Sequence, residues 1–142
     1  MKKTVICNCV EETEKVGFEV AEYASANNFT FIALYGDLGV GKTAFVRGFT
    51  AFHDKDACVM SPTYNLVNVY GKVYHFDMYR INDEDDLYSI GFYDYDDGEN
   101  IILTEWSENI EFALPKKYLK ISISKTGISE DTREIRIESV GV

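Results

Sequence analysis

Hydrophobic positions in the first third of the chain predict a helix, a strand and a second helix in turn. Val16, Val20 and Tyr23 recur at helical spacing, which predicts a first helix closed by two asparagines. The short apolar run FIALY, residues 31–35, predicts a buried strand. Residues 43–52, TAFVRGFTAF, return to helical spacing. The strand therefore leads through a glycine-rich segment into a helix.

The rest of the chain favours strands. Residues 65–79 alternate on both sides of Gly71-Lys72, which predicts a hairpin with a type II′ turn. One hairpin face is expected to meet the core, and His75 and Asp77 share the other, more polar face. NIILT predicts a short buried strand, and YLKISIS and REIRIES predict a final pair of alternating strands. The residues predicted on the core-facing side of the hairpin are Asn65, Val67, Val69, Tyr74, Phe76 and Met78.

Length and composition limit the classes of protein to consider. The chain has 142 residues, 46% of them hydrophobic, so we expect one domain over residues 1–142. No apolar run approaches the roughly 20 residues that cross a bilayer, and acidic residues precede any apolar segment of a signal peptide. We therefore expect a cytoplasmic protein that has no membrane partner.

The three cysteines, Cys7, Cys9 and Cys58, form an odd set that suits a reducing compartment, so we expect no disulfide partner. A C-x-C pair can ligate zinc, but the sequence has no second pair. Buried thiols on a first strand are the preferred interpretation.

Charge argues against direct nucleic-acid binding. The net charge is -10, and Lys and Arg are scattered along the chain where a basic stripe would be expected. Acidic residues concentrate in NDEDDLY and DYDDGEN, neither of which has the spacing of an EF-hand loop. A solvated helix start and an acidic turn are expected there, with a docking surface for a basic partner as the alternative.

The strongest motif is GDLGVGKT, residues 36–43, which has the P-loop spacing G-x-x-x-x-G-K-T between the predicted strand and helix. Its glycines let backbone N–H groups approach phosphate oxygens at a helix N-terminus. Lys42 is expected to reach the β and γ phosphates, and Thr43 to place its hydroxyl on Mg²⁺. We predict an α/β fold: a single P-loop NTPase-like domain with a mixed parallel and antiparallel sheet and flanking helices.

Two carboxylates are candidates for the remaining chemistry. Glu105 ends the strand IILTE as a candidate general base or water-orienting group, because Thr104 stands where many P-loop proteins carry a metal-binding Asp. The alternative for Glu105 is a surface acid. Asp77 is the candidate for the magnesium shell. His75 is left open between a role in the site and a hydrogen-bonding strand residue.

Four ordered motifs, GDLGVGKT, SPTYNLV, HFDMYR and TEWSENI, closely resemble those of the bacterial TsaE family. The resemblance covers nearly the whole chain. It implies a P-loop ATPase required for threonylcarbamoylation of tRNA, with ATP and Mg²⁺ as cofactors and the TsaB and TsaD proteins as partners. TsaD would transfer the threonylcarbamoyl group to the adenosine beside the anticodon, so this chain would meet tRNA only through the complex.

The resemblance also implies residue roles. Lys42 and Glu105 become the catalytic residues, and SPTY becomes a switch-like loop near the nucleotide. Tyr64 and Ser107 depart from the usual family pattern, in which Phe and Pro are common, and Arg80 is open between phosphate, a partner and an acidic neighbour. The metal residues implied are Thr43, Asp77 and Glu105. The nucleotide-binding residues implied are Gly36, Asp37, Leu38, Gly39, Val40, Gly41, Lys42, Thr43, Ala44 and Trp106.

Other nucleotide-binding classes fit less well. A small-molecule kinase would need an acceptor pocket and usually an arginine-rich lid, whereas the chain has four arginines. A GTPase would be expected to show N/T-K-x-D, which SKTG at residues 124–127 does not supply. A nucleotide-sensing module without catalysis is the strongest alternative.

Overall fold

A computed structural model describes residues 1–36, 40–59 and 67–141. Within these ranges one seven-stranded sheet has the order β1-β7-β6-β2-β5-β4-β3. The strands are β1 Lys2–Cys7, β2 Phe31–Tyr35, β3 Val67–Tyr70, β4 Val73–Asp77, β5 Ile101–Glu105, β6 Tyr118–Lys125 and β7 Arg133–Val140.

The centre of the sheet is parallel and its edges are antiparallel. Strands β6, β2, β5 and β4 run in the same direction, whereas β7 and β1 on one side and β3 on the other pair antiparallel. The predicted mixed sheet is therefore confirmed. Because parallel strands end at the same edge, the carboxyl ends of β2, β4 and β5 lie side by side.

Two long helices cover one face of the sheet. These are α1 Val10–Ala26 and α2 Lys42–His53, and they pack with the odd-numbered side chains of β5 and the even-numbered ones of β2 in one apolar cluster. Two glycines let the helices touch backbone to backbone. A Cβ at Gly48 would lie 1.8 Å from the carbonyl oxygen of Glu14, and one at Gly17 would lie 2.2 Å from that of Phe45.

The opposite face is covered by short helical segments. They are α3 Glu84–Ser89, α4 Phe92–Tyr95 and 3-10 turns within Ser107–Ala113, and they enclose a second, more aromatic cluster. The first acidic stretch, residues 82–88, contains the start of α3, and the second, residues 94–100, begins in α4 and continues beyond its end. Asp83 caps α3 by accepting the N–H of Asp86, and Asp97 accepts backbone N–H groups from Glu99 and Asn100. The predicted helix start and acidic turn are thus confirmed.

The hairpin pairs in the predicted register around Gly71-Lys72. Gly71 has φ +61, and Lys72 is not among the residues with positive φ, as a type II′ turn requires. The expected faces agree with the register, but the expectation that the His75 side of β4 is the more polar one is wrong, because Val73 and His75 are as buried as Phe76. His75 is 0% exposed, whereas Val69 is 53% exposed. The reason is topology: β4 lies between β3 and β5 with its His75 side turned toward α2, whereas β3 is an edge strand.

The three cysteines are free thiols. Cys7 is buried at the end of β1, as expected, but the expectation is wrong for Cys9, which is half-buried at the N-cap of α1, and Cys58 is exposed. Among the described residues, no helix is both long enough and apolar enough to cross a membrane.

Candidate functional site

The P-loop begins where β2 ends. Gly36 has φ +148, and a Cβ there would lie 2.6 Å from the carbonyl oxygen of Ile123 on the neighbouring strand β6. Only glycine fits this position without displacing backbone. Residues 37–39, which hold the predicted Asp37, Leu38 and Gly39, lie outside the described residues.

Helix α2 starts at the far end of the loop with an open N-terminus. Gly41 is its N-cap at φ +105, and no side chain of the described residues caps it. The carbonyl of Gly41 accepts the N–H of Phe45, whereas the preceding N–H groups of the first turn have no acceptor among the residues that the structure describes. Thr43 is half-buried and Ala44 is buried in that turn. The arrangement suits an anion that accepts these N–H groups.

Arg133 holds the loop from a distant strand, and sequence reasoning missed it. Its Nε donates to the carbonyl of Val40 at 2.9 Å, and a second guanidinium nitrogen donates to the carbonyl of Glu130. Val40 is buried. No motif marks Arg133, because the contact depends on β7 lying beside β6 in the sheet.

Lys42 is buried, and its ammonium has two partners. Nζ donates to the carbonyl of Gly36 at 2.6 Å and lies 4.3 Å from the ring centroid of Trp106. A cation–π contact of this kind stabilises a charge that burial has removed from water. Trp106 follows the last residue of β5, so this contact joins the P-loop to the end of β5.

Strands β4 and β5 end with paired carboxylates. Asp77 and Glu105 are register partners, each the last residue of its strand. Thr104 faces the opposite layer, where its hydroxyl lies 2.8 Å from that of Ser107. Ser107 also donates to the carbonyl of Thr104. Side chains alternate along a strand, so β5 turns one carboxylate, Glu105, toward α2.

Glu105 is buried and paired with a histidine. It is 6% exposed, and its Oε2 lies 2.5 Å from Nε2 of His75. Nδ1 of His75 is buried and has no hydrogen-bond partner among the described residues. The alternative of a surface acid for Glu105 is therefore wrong. The undecided His75 belongs to the same cluster as Glu105.

Asp77 is half-buried beside this pair, and its Oδ1 accepts the N–H of Tyr79 at 2.9 Å. Burial is the main cause that raises the pKa of Asp77, and the nearby Glu105 carboxylate adds to it, whereas the Tyr79 N–H and the Lys42 ammonium act in the opposite direction. A cation near Asp77 and Glu105 would lower this pKa, because it would favour the charged carboxylates and so offset the effects of burial and of the Glu105 charge.

Trp106 adopts a left-handed backbone conformation, with φ 58 and ψ 45. A non-glycine residue in this region is uncommon and is often held there by its surroundings. The indole ring lies 5.0 Å from the ring of Tyr79, between centroids, and contacts Lys42 on its face. The turn thus brings an aromatic surface against the P-loop lysine.

The donor set fits magnesium better than a metal held by protein alone. Among the described residues, no group of three or more His, Cys, Asp or Glu side chains is arranged to hold a metal. Mg²⁺ in nucleotide sites is typically bound by one or two carboxylates together with phosphate oxygens and water. Asp77, Glu105 and the Thr43 hydroxyl are donors of that kind.

Comparison with known proteins identifies the family. A family model described as threonylcarbamoyl adenosine biosynthesis protein TsaE matches residues 7–135. The chain belongs to the TsaE family. A relative from Bacillus subtilis (strain 168), named tRNA threonylcarbamoyladenosine biosynthesis protein TsaE, is 36% identical over 135 residues, which are 92% of this chain and 82% of the relative. A Haemophilus influenzae protein of the same name is 39% identical over 110 residues, 75% of this chain and 68% of that protein.

The fold of this TsaE-family chain also matches a solved structure. The crystal structure of Bacillus subtilis YdiB superposes with a TM-score of 0.71 and 28% identity, over 99% of this chain and 87% of that one. The predicted family and α/β fold class are therefore confirmed. The predicted switch-like SPTY loop, including Tyr64, lies outside the described residues. The side chain of Arg80, whose partner the sequence leaves open, is exposed.

Proposed function

We propose that this TsaE-family chain binds ATP with Mg²⁺ and hydrolyses it, together with the TsaB and TsaD proteins, during threonylcarbamoylation of the adenosine beside the anticodon of tRNA. The family places the chain in the biosynthesis of this modification.

One observation carries the proposal: the ammonium of Lys42 lies 4.3 Å from the ring of Trp106, the residue directly after Glu105. The lysine proposed to bind phosphate thus contacts the residue next to a buried carboxylate, at the carboxyl edge of a parallel sheet, where α/β proteins bind ligands. A glycine-rich turn with a purely structural role would not need this meeting.

In the structure, a backbone carbonyl occupies the position at the Lys42 ammonium that phosphate would take in the proposed complex. A buried ammonium needs a hydrogen-bond acceptor, and the carbonyl of Gly36 supplies one at 2.6 Å. In the proposed complex the β and γ phosphates would replace that carbonyl, and the open N–H groups at the start of α2 would bind phosphate oxygens. Nucleotide binding would therefore exchange one partner of Lys42 for another without exposing its charge.

The carboxylates of Asp77 and Glu105 would bind the metal ion and activate water. Bound Mg²⁺ would neutralise charge on the phosphate oxygens, and Thr43, Asp77 and Glu105 are the residues that would hold it. Glu105 would also orient the attacking water or take its proton. Asp77 would hold the metal with Oδ2, because its Oδ1 already accepts a backbone N–H.

Charge supports an indirect route to tRNA. A net charge of -10 disfavours contact with a polyanion, so the partners would supply the RNA-binding surface.

ATPase assays of the chain alone and with TsaB and TsaD test the proposal. We expect weak or no turnover alone and clear Mg²⁺-dependent turnover with both partners. ATP binding that never leads to hydrolysis, with both partners present, would contradict it and favour a nucleotide-sensing module.

A further inference from the structure

We infer that His75 is a positioning residue for Glu105: its Nε2–H holds Oε2 of the carboxylate and leaves Oε1 for the attacking water. The inference rests on the proposed function, since it assigns Glu105 to hydrolysis. It goes further by naming the residue that sets the geometry of that carboxylate.

The two side chains meet because of the sheet. In the β4–β5 ladder His75 pairs with Leu103 and Asp77 pairs with Glu105, so His75 and Glu105 are diagonal neighbours on one face. The distance between Nε2 and Oε2 is 2.5 Å. His75 is 0% exposed, so water does not compete for this contact.

The unpartnered ring nitrogen of His75 fixes the arrangement of protons. Nδ1 is buried and has no acceptor or donor among the described residues. A proton on Nδ1, in the other neutral tautomer or in the charged ring, would leave a buried N–H without an acceptor. In the neutral tautomer it would also aim the Nε2 lone pair at the carboxylate. A proton on Nε2 lets the ring donate to Oε2 and leaves Nδ1 as a bare acceptor, which is the less costly arrangement.

A purely structural role accounts poorly for a histidine here. An apolar side chain of similar size would fill the same buried space without leaving Nδ1 unpaired. Among the described residues, the hydrogen bond to Glu105 is the one contact of the ring that an apolar side chain could not make. That bond acts on a carboxylate at the strand end nearest the P-loop.

Holding one oxygen of Glu105 has a chemical consequence. Glutamate has three rotatable side-chain bonds, and Asp77 beside it repels a charged carboxylate. A donor on the rigid strand β4 counters both, because its hydrogen bond restricts rotation and holds the carboxylate in place beside Asp77. The carboxylate then needs little reorganisation before it meets water.

Two variants test the inference in ATPase assays with TsaB and TsaD. His75→Leu removes the donor at similar volume, and we expect kcat to fall about tenfold while nucleotide affinity changes less than about twofold. His75→Gln keeps an N–H donor and should recover most of the lost rate. A rate in His75→Leu equal to wild type would overturn the inference and leave the proposed function intact. Absence of turnover in wild type would instead defeat the proposed function.

The second readout, the NMR spectrum of the imidazole rings, requires neither ATPase activity nor a substitution of His75. The chain has two histidines, so histidine-labelled protein gives two imidazole spectra, and His53 serves as the internal control. We expect His75 to be the Nε2–H tautomer, with a slowly exchanging downfield proton that shifts in Glu105→Gln while His53 does not. An Nδ1–H tautomer for His75, or no response to Glu105→Gln, would overturn the inference.

Discussion

The two ends of α2 carry different chemistry on one helix. At the N-terminal end, glycine leaves the first N–H groups open and a buried lysine meets the end of β5. At the C-terminal end, His53 packs against the rings of Phe49 and Phe52, with centroids 5.7 and 5.0 Å away. Both ends contain polar groups without a partner among the described residues, since Nε2 of His53 is buried and unbonded.

The comparison shows that an unpartnered polar group has no single meaning. Several open N–H groups that point the same way at a helix start, beside a lysine, form an anion site. One ring nitrogen among aromatic side chains is a cost of packing. Changes at the N-terminal end should therefore alter nucleotide use, and changes at the C-terminal end should alter stability.

The largest expected effect is that of Lys42→Ala. This change removes the cation proposed for the β and γ phosphates, so productive ATP use should be abolished, with a loss of at least about a hundredfold. Lys117→Ala is a matched control, because Lys117 also lies over an aromatic ring, Phe29, but at the opposite end of β2. Assays with both partner proteins measure the difference. Wild-type turnover in Lys42→Ala would show that the N-terminal end of α2 is not part of the nucleotide site.

Gly36→Ala should destabilise the fold by about 2–4 kcal/mol, because the added Cβ meets the carbonyl of Ile123 in a backbone region that alanine avoids. Gly98→Ala is the control: Gly98 also has a positive φ, but a Cβ there meets nothing within 4 Å. That control should lose about 1–2 kcal/mol. Denaturant unfolding measures both, and equal losses would mean that the close approach at Gly36 is unimportant.

Asp77→Asn should raise the Mg²⁺ concentration required for activity about tenfold. It should weaken ATP binding in Mg²⁺ much more than in EDTA, because asparagine keeps the shape and removes the charge. Asn can still accept the N–H of Tyr79. Magnesium titrations of wild type and variant decide the point, and coincident curves would make Asp77 structural.

The smallest expected effect lies at the C-terminal end, in His53→Phe. Burial lowers the pKa of His53, and nearby Lys72 adds to this. A group with a lowered folded-state pKa contributes stability above its unfolded-state pKa, about 6.5, and loses it as pH falls through the folded value. The variant should therefore unfold at a higher temperature than wild type at pH 5.5, and the gap should narrow by pH 7.5. A gap that does not depend on pH would show that the ring does not titrate in this way.

The N-terminal end of α2 could be predicted because its parts are consecutive. Gly36, Lys42 and Thr43 lie within eight residues. An apolar run predicts the strand before them, and helical spacing of apolar residues predicts the helix after them. His75 could not be assigned in the same way, because its contact with Glu105 depends on the order of β4 and β5 in the sheet. The expectation of a more polar hairpin face failed for a related reason, since alternation gives the side of a strand on which a residue lies and not what covers that side.

Glu105→Gln provides the most direct test of the central claim that the P-loop and the end of β5 form one hydrolytic site. The variant keeps the shape of the side chain and removes its basicity. ATP affinity measured in EDTA, where Glu105 has no metal to hold, should therefore stay within about twofold, while hydrolysis in Mg²⁺ with both partners slows at least tenfold. Glu111→Gln, an exposed glutamate in the following 3-10 segment, should match wild type. Equal loss of affinity and turnover in Glu105→Gln, or loss of neither, would contradict the account.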